Sequence, residues 1–249
     1  MNSFSNIRIV LVRTYHPGNI GSSIRAMKTM GLKQLVLVEP REFPSDEANK
    51  MASSAEDLLA DAVVVDTLLE AVHDCSLVVA CTARPRTFDL PALGPAQAAN
   101  QLYNAANTGP VALVFGPERM GLHNDDIQLA HYRVSIPANP EYSSLNLASA
   151  VQILCYELRK QLDNVADQSS ESDSESQPLP SIAQRENFYE VLEEVLHDSG
   201  FVNQQHPGQL MLKLRRFFAR AEPVESEMNI LRGALAAIQN RFNSGRPPQ

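Results

Sequence analysis

Short runs of β-branched and leucyl side chains recur along the chain: Ile7–Val12, Leu35–Val38, Val63–Val65, Leu77–Ala80 and Val111–Phe115, with a briefer Val134–Ile136. Near-continuous apolarity of this kind reads as strands covered on both faces. Between the runs the apolar spacing turns helical: Ile24, Met27, Lys28 and Met30 ending at Gly31, the alanine-rich Pro95–Asn107, and Leu145–Leu158, where Leu147, Val151, Leu154 and Leu158 share a face. Strand alternating with helix predicts an α/β fold with a mostly parallel sheet. In such sheets functional groups collect beyond the carboxyl ends of the strands. Three loops therefore stand out: residues 13–25, 116–122 and 137–146.

The 249 residues exceed what that sheet needs, and a compositional break shows where the excess begins. Gln161–Gln177 reads QLDNVADQSSESDSESQ, too poor in apolar groups to offset its own ordering entropy. The expected layout is a sheet domain over residues 1–162, an acidic, serine-rich flexible linker over 163–180 and an all-helical extension over 181–249. In that extension Phe188, Val191, Leu192, Val195 and Leu196 share one face, as do Ile230/Leu231, Ala234/Leu235, Ile238 and Phe242. Between them His206–Arg220 carries Lys213, Arg215, Arg216 and Arg220, and the span Gly200–Ala221 has no acid. Such a segment is either a solvated helix face or a phosphate-contacting patch interleaved with aromatics.

The net charge of −8 argues at first against a nucleic-acid partner. Residues 1–160 hold 13 Lys/Arg against 16 Asp/Glu, residues 161–180 none against 5, and residues 181–249 hold 8 against 8. Much of the acidity thus sits in the linker, and the flanking domains stay available to a polyanion.

Several chemistries are excluded by what is missing. No G-x-G-x-x-G follows a strand, no P-loop or G-x-S-x-G elbow occurs, and the six histidines form no metal-ligand pair at helical spacing. Cys75, Cys81 and Cys155 are too scattered for a disulfide framework or a zinc site. With no basic leader and no run of ~18 apolar residues, a soluble cytoplasmic protein is expected, with no metal and no membrane partner.

The three loops carry a recognisable order. Asn19-x-Gly21-x-x-x-Arg25, then Phe115-Gly116-x-Glu118-x-x-Gly121-Leu122, then Ile136-Pro137 followed by Ser143-Ser144-Leu145-Asn146-Leu147-Ala148-x-Ala150, resemble the three motifs of the SpoU branch of the SPOUT methyltransferases. Residues 26–32, 139–147, His206–Gln209 and Asn229–Gly233 resemble the TrmJ-type tRNA 2′-O-ribose methyltransferases in particular. The resemblance implies a C-terminal trefoil knot, bound S-adenosylmethionine (SAM), a homodimer, and 2′-O-methylation of nucleotide 32 in the tRNA anticodon loop. Competing readings are a SpoU-type enzyme for another RNA position, in rRNA or at the tRNA wobble nucleotide, and a non-catalytic RNA-binding module.

By the same resemblance Arg25, Asn19, Glu118, Ser144 and Asn146 are the catalytic set, and Cys81, Thr82, Ala83, Gly116, Ile136, Ser143, Ser144 and Leu145 the cofactor contacts. An arginine pKa above ~12 makes Arg25 a poor base, so its expected role is to clamp a phosphate and stabilise alkoxide charge. Asn19, Ser144 and Asn146 have capping as their plain structural alternative. Ile136 and Leu145 have core packing, and Gly116 is expected to let the backbone approach a ligand. Arg84, Arg86 and Arg119 flank the cleft and are candidate tRNA contacts alongside Lys213, Arg215, Arg216 and Arg220, while Tyr142 either lines the site or packs.

Overall fold

The computed structural model describes residues 3–82, 90–167, 179–201 and 207–244. The chain divides into two compact units, residues 1–174 and 175–249. The first unit runs β1 (Ile7–Val12), α1 (Pro17–Met30), β2 (Gln34–Val38), α2 (Asp46–Ala52), α3 (Glu56–Ala60), β3 (Val63–Val65), α4 (Leu68–Val72), β4 (Leu77–Cys81), β5 (Ala92–Leu93), α5 (Pro95–Ala105), β6 (Val111–Phe115), α6 (Asn124–Gln128), β7 (Tyr132–Val134) and α7 (Leu147–Asp167). The strands form one sheet in the order β3-β2-β1-β6-β4-β7-β5, and each of these strand pairs is parallel.

The apolar runs became strands because both faces of the sheet are covered. Ile9 stands opposite Leu35 and Leu113 in the ladder and is fully buried. On α1, Ile20, Ile24 and Met27 pack into the same core as Val151, Leu154 and Leu158 of α7. Helix α1 stops where expected: Gly31 adopts φ 85°, a left-handed cap that glycine reaches without Cβ strain.

The edges depart from the sequence reading. Val63 and Val64 are 54% and 50% exposed, because β3 is an edge strand rather than one covered on both faces. Strand β7 covers 132–134 instead of 134–136, which leaves Ser135 and Ile136 at the start of the third loop. The two-residue β5 and the short helices α2, α3, α4 and α6 were too brief to give a periodic signal. Helix α7 continues to Asp167, so residues 163–167, expected in the linker, are helical.

The second unit contains α8 (Ile182–Asp198), α9 (Pro207–Ala221) and α10 (Glu225–Ser244). Ser181 caps α8 by accepting the Gln184 amide, while the Gln184 side chain accepts the Ser181 amide. Phe188, Tyr189, Met211 and Met228 form the core, joined by Leu192, Leu214, Phe218, Leu231 and Leu235. The apolar stripe expected on α10 therefore splits: Leu231 and Leu235 face this core, whereas Ile230 is 73% exposed.

Candidate active site

Beyond the carboxyl ends of β1, β6 and β7 the three loops meet. The first begins with Arg13, whose φ of 48° turns the chain off the strand while its amide donates to the Val38 carbonyl at 2.7 Å. Its guanidinium pairs with Asp126 and reaches Glu39 at 3.5 Å. The loop is thereby held against the end of β2, and Arg41 strengthens the tie by donating its amide to the Thr14 carbonyl at 3.1 Å.

The second loop folds back on itself. The Gly121 amide donates to the Pro117 carbonyl at 2.9 Å, and a Cβ on Gly116 would lie 2.3 Å from the Leu122 nitrogen. Glycine is thus required at 116 by the loop's own backbone. This reversal aims Glu118 at the first loop. Its carboxylate accepts the amides of Tyr15 (2.9 Å) and His16 (3.2 Å) and the Asn19 side-chain amide (2.7 Å). Burial pushes the Glu118 carboxyl up, but the Asn19 amide and the backbone donors together outweigh it and hold it below the usual carboxylate range.

The third loop joins through Asn146, whose side-chain amide donates to Asn19 Oδ1 at 3.0 Å. Its Oδ1 in turn accepts the amides of Ala148 (2.9 Å) and Ser149 (3.4 Å) and caps α7. One continuous relay therefore runs from the Tyr15 and His16 amides through Glu118, Asn19 and Asn146 to the start of α7. Asn19 is not the cap expected for α1, because the helix already begins at Pro17 with His16 in the capping position. Gly21 has a packing role: a Cβ there would lie 2.1 Å from the Ala48 carbonyl oxygen of α2.

Beside the relay lies a cleft lined by Cys81, Thr82, Gly116, Glu118, Arg119, Ile136, Ser143, Ser144 and Leu145, together with the buried Phe115 and Leu147. Every described residue of the expected cofactor set lines it; Ala83 lies outside the described residues, as do Arg84 and Arg86. Ile136 is half-buried against the core and also reaches the cleft. Leu145 is 40% exposed, so it is a wall of the cleft rather than a core side chain. Burial pushes the Cys81 thiol up to about 12, which leaves it protonated and without nucleophilic character.

Other expected residues stand apart. Arg25 projects from the exposed face of α1, is not among the lining residues, and makes no ion pair among the described residues. Tyr142 is 79% exposed, neither packed nor lining the cleft. In the second unit Arg215 is committed internally: it makes two hydrogen bonds to Glu186 at 2.7 and 2.8 Å and covers the Tyr189 ring at 4.2 Å. Lys213, Arg216 and Arg220 remain exposed.

Several participants escaped the sequence reading. Tyr15 and His16 act through backbone amides, which carry no side-chain signature. Arg41 lies 3.9 Å and Arg119 5.0 Å from the centre of the Tyr15 ring, so two guanidinium groups gather at the mouth of the site. Arg41 follows β2, and the loop after a parallel strand was the available signal.

The SpoU rRNA methylase family model matches residues 6–156, and the model for the TrmJ tRNA methyltransferase C-terminal domain matches residues 183–247. Over 237 residues, 95% of this chain and 92% of the relative, the sequence is 52% identical to the tRNA (cytidine/uridine-2′-O-)-methyltransferase TrmJ of Yersinia pestis (strain Pestoides F). The crystal structure of TrmJ from Z. mobilis ZM4 superposes with a TM-score of 0.79 at 35% identity, covering 93% of this chain and 98% of that one. The AdoMet complex of the SpoU methyltransferase AviRb from Streptomyces viridochromogenes shares the fold at a TM-score of 0.50 and 24% identity, over 64% of this chain and 62% of that one. With a family model matched over more than half its length and a half-identical relative over nearly all of it, the chain belongs to the SpoU methylase family, in its TrmJ branch, and is a methyltransferase.

Proposed function

We propose that the protein transfers a methyl group from SAM to the ribose 2′-hydroxyl of nucleotide 32 in the tRNA anticodon loop, as a cytoplasmic homodimer. The observation that carries this reading is the convergence of the three loops on one cleft, braced by Glu118. The 52% identical relative is named for tRNA 2′-O-methylation of cytidine or uridine, and AviRb, which shares the fold, is in complex with AdoMet in its crystal structure.

The cleft suits such a cofactor. Ile136, Leu145 and Phe115 offer apolar walls, while Thr82, Ser143, Ser144 and the backbone around Gly116 offer polar edges. When bound, SAM supplies an activated methyl carbon, so the protein has chiefly to position the reactants and handle a proton. Glu118, with its carboxylate filled by three N–H donors, is a positioning residue rather than a base. Asn19 and Asn146 transmit that positioning to the start of α7, next to Ser143 and Ser144. Arg25 clamps the substrate phosphate and stabilises developing alkoxide charge. Arg25 lies outside the cleft of its own chain, so in this reading it acts on the cleft of the second copy in the homodimer.

In this reading the sheet unit carries out the chemistry, the acidic segment after α7 is a tether, and α8–α10 grip tRNA. The trefoil knot belongs to the same proposal. It is supported by the sheet order, in which β6 lies between β1 and β4, strands the chain has already laid down. Among the described residues no helix is long and apolar enough to cross a membrane, and no cluster of three or more His, Cys, Asp or Glu is placed to hold a metal.

The test is to incubate the purified protein with labelled SAM and unmodified tRNA and to map the product nucleoside by mass spectrometry. Label on the ribose of nucleotide 32 is the expected result. Label in a base, at another RNA position, or nowhere overturns the proposal.

A further inference from the structure

We infer that Phe217 is a stacking platform for an unpaired RNA base, with Lys213, Arg216 and Arg220 placed to meet the adjoining phosphates. This rests on the tRNA-binding reading above and names the contact within it. The four residues fall at i, i+3, i+4 and i+7 of α9, so they share one face spanning about 10 Å of helix axis. All four are exposed, Phe217 to 54%.

The neighbouring side chains show that packing does not explain this face. Phe218 is the aromatic that α9 contributes to the core, meeting Phe188 edge-on at 4.9 Å. Phe217 is outside that cluster and its ring meets Phe218, its neighbour in the chain, at 5.3 Å with the rings 79° apart. A near-perpendicular contact takes up one edge or one face of Phe217 and leaves more than half of the side chain to solvent. Leu214 and Met211 likewise point inward.

The charges are equally segregated. Arg215, one residue from the face, is neutralised by Glu186. Lys213, Arg216 and Arg220 have no ion pair among the described residues, and no acid lies between Gly200 and Ala221, although α8 alone has five. An aromatic surface enclosed by unpaired cations matches a polymer that alternates flat bases with phosphates. An acidic peptide would use the cations and ignore the ring, and a membrane surface would need more than one apolar side chain on the face.

The chain has no tryptophan, so Phe217→Trp introduces a sole indole reporter into the full-length protein. Unmodified tRNA and single-stranded oligo(U) should quench its fluorescence, and a fully paired RNA duplex should do so far less. Phe217→Ala should weaken tRNA binding about 10-fold at unchanged salt slope, with affinity retained in Phe217→Trp and Phe217→Tyr. That rescue, and the quenching itself, would not follow from a merely structural role. Duplex RNA or poly-glutamate quenching as strongly as oligo(U) overturns the proposal. So does unchanged tRNA affinity in Phe217→Ala while Lys213→Ala and Arg216→Ala weaken binding. Methyl transfer by the unaltered protein, measured in parallel, registers failure of the tRNA-methylation reading separately.

Discussion

The loops around Glu118 and the outer face of α9 treat polar groups in opposite ways. At Glu118 the two carboxylate oxygens receive three N–H donors, and Asn19 and Asn146 both donate and accept. On α9 three cations and a phenyl ring are left facing water. A surface that must hold reacting atoms in one geometry uses its hydrogen bonds internally, because misplacement of about 1 Å costs roughly 100-fold in rate. A surface that must capture a long polyanion keeps its charges unspent, since its affinity comes from displaced counterions.

The contrast predicts where substitutions act. Glu118→Ala leaves two backbone amides and the Asn19 side chain without their acceptor; turnover should fall about 100-fold or more, with tRNA affinity nearly kept. Methyl incorporation under saturating tRNA, compared with direct binding, checks this, and near-normal turnover would show the relay to be dispensable. Arg25→Lys should keep tRNA binding but lower turnover about 10- to 100-fold, because an ammonium cannot supply the planar fork of a guanidinium.

Within α9 two adjacent arginines should behave differently. Arg215→Ala strands Glu186 and uncovers Tyr189, costing about 1–3 kcal/mol by thermal unfolding. Arg216→Ala should leave unfolding unchanged and instead reduce the log–log salt slope of tRNA binding by about 1. If both altered only the slope, the internal role of Arg215 would be wrong.

The smallest effect is the pH response. Because hydrogen bonds hold the Glu118 carboxyl below its ordinary value, its contribution to stability is fully present above the unfolded pKa of about 4.3 and is lost as pH falls through the lower folded value. Thermal stability attributable to Glu118 should therefore be flat from about pH 8 to 5 and decline only in more acidic solution. The difference between the unaltered protein and Glu118→Gln, followed across that range, isolates it from other carboxylates such as Asp74, which Arg8 holds low in the same way.

Much of this architecture is legible in the sequence. The strands β1, β2, β4 and β6 were visible because each is buried on both faces and therefore almost wholly apolar. The four leucine and valine positions of α7 are legible because one helix face packs into the core. The residues Cys81, Thr82, Gly116, Ile136, Ser143, Ser144 and Leu145 came from family resemblance, and the fold places them around one cleft. Short elements such as β5 and α6 gave no signal, since two to five residues cannot display a period. The edge strand β3 is exposed despite its apolar sequence, because apolar composition does not distinguish a central strand from an edge one.

What the sequence alone determined was the kind of sheet, the loops worth watching and the basic, acid-free stretch of α9, all properties of residue type and local spacing. Only the tertiary structure decided which polar groups were already taken. Asn19 and Glu118 are 99 positions apart, Asn19 and Asn146 are 127 apart, and Arg215 finds Glu186 on another helix. A hydrogen bond depends on distances of about 3 Å in space. Nothing in residue type told Arg215, spent on a carboxylate, from Arg216, left exposed to solvent.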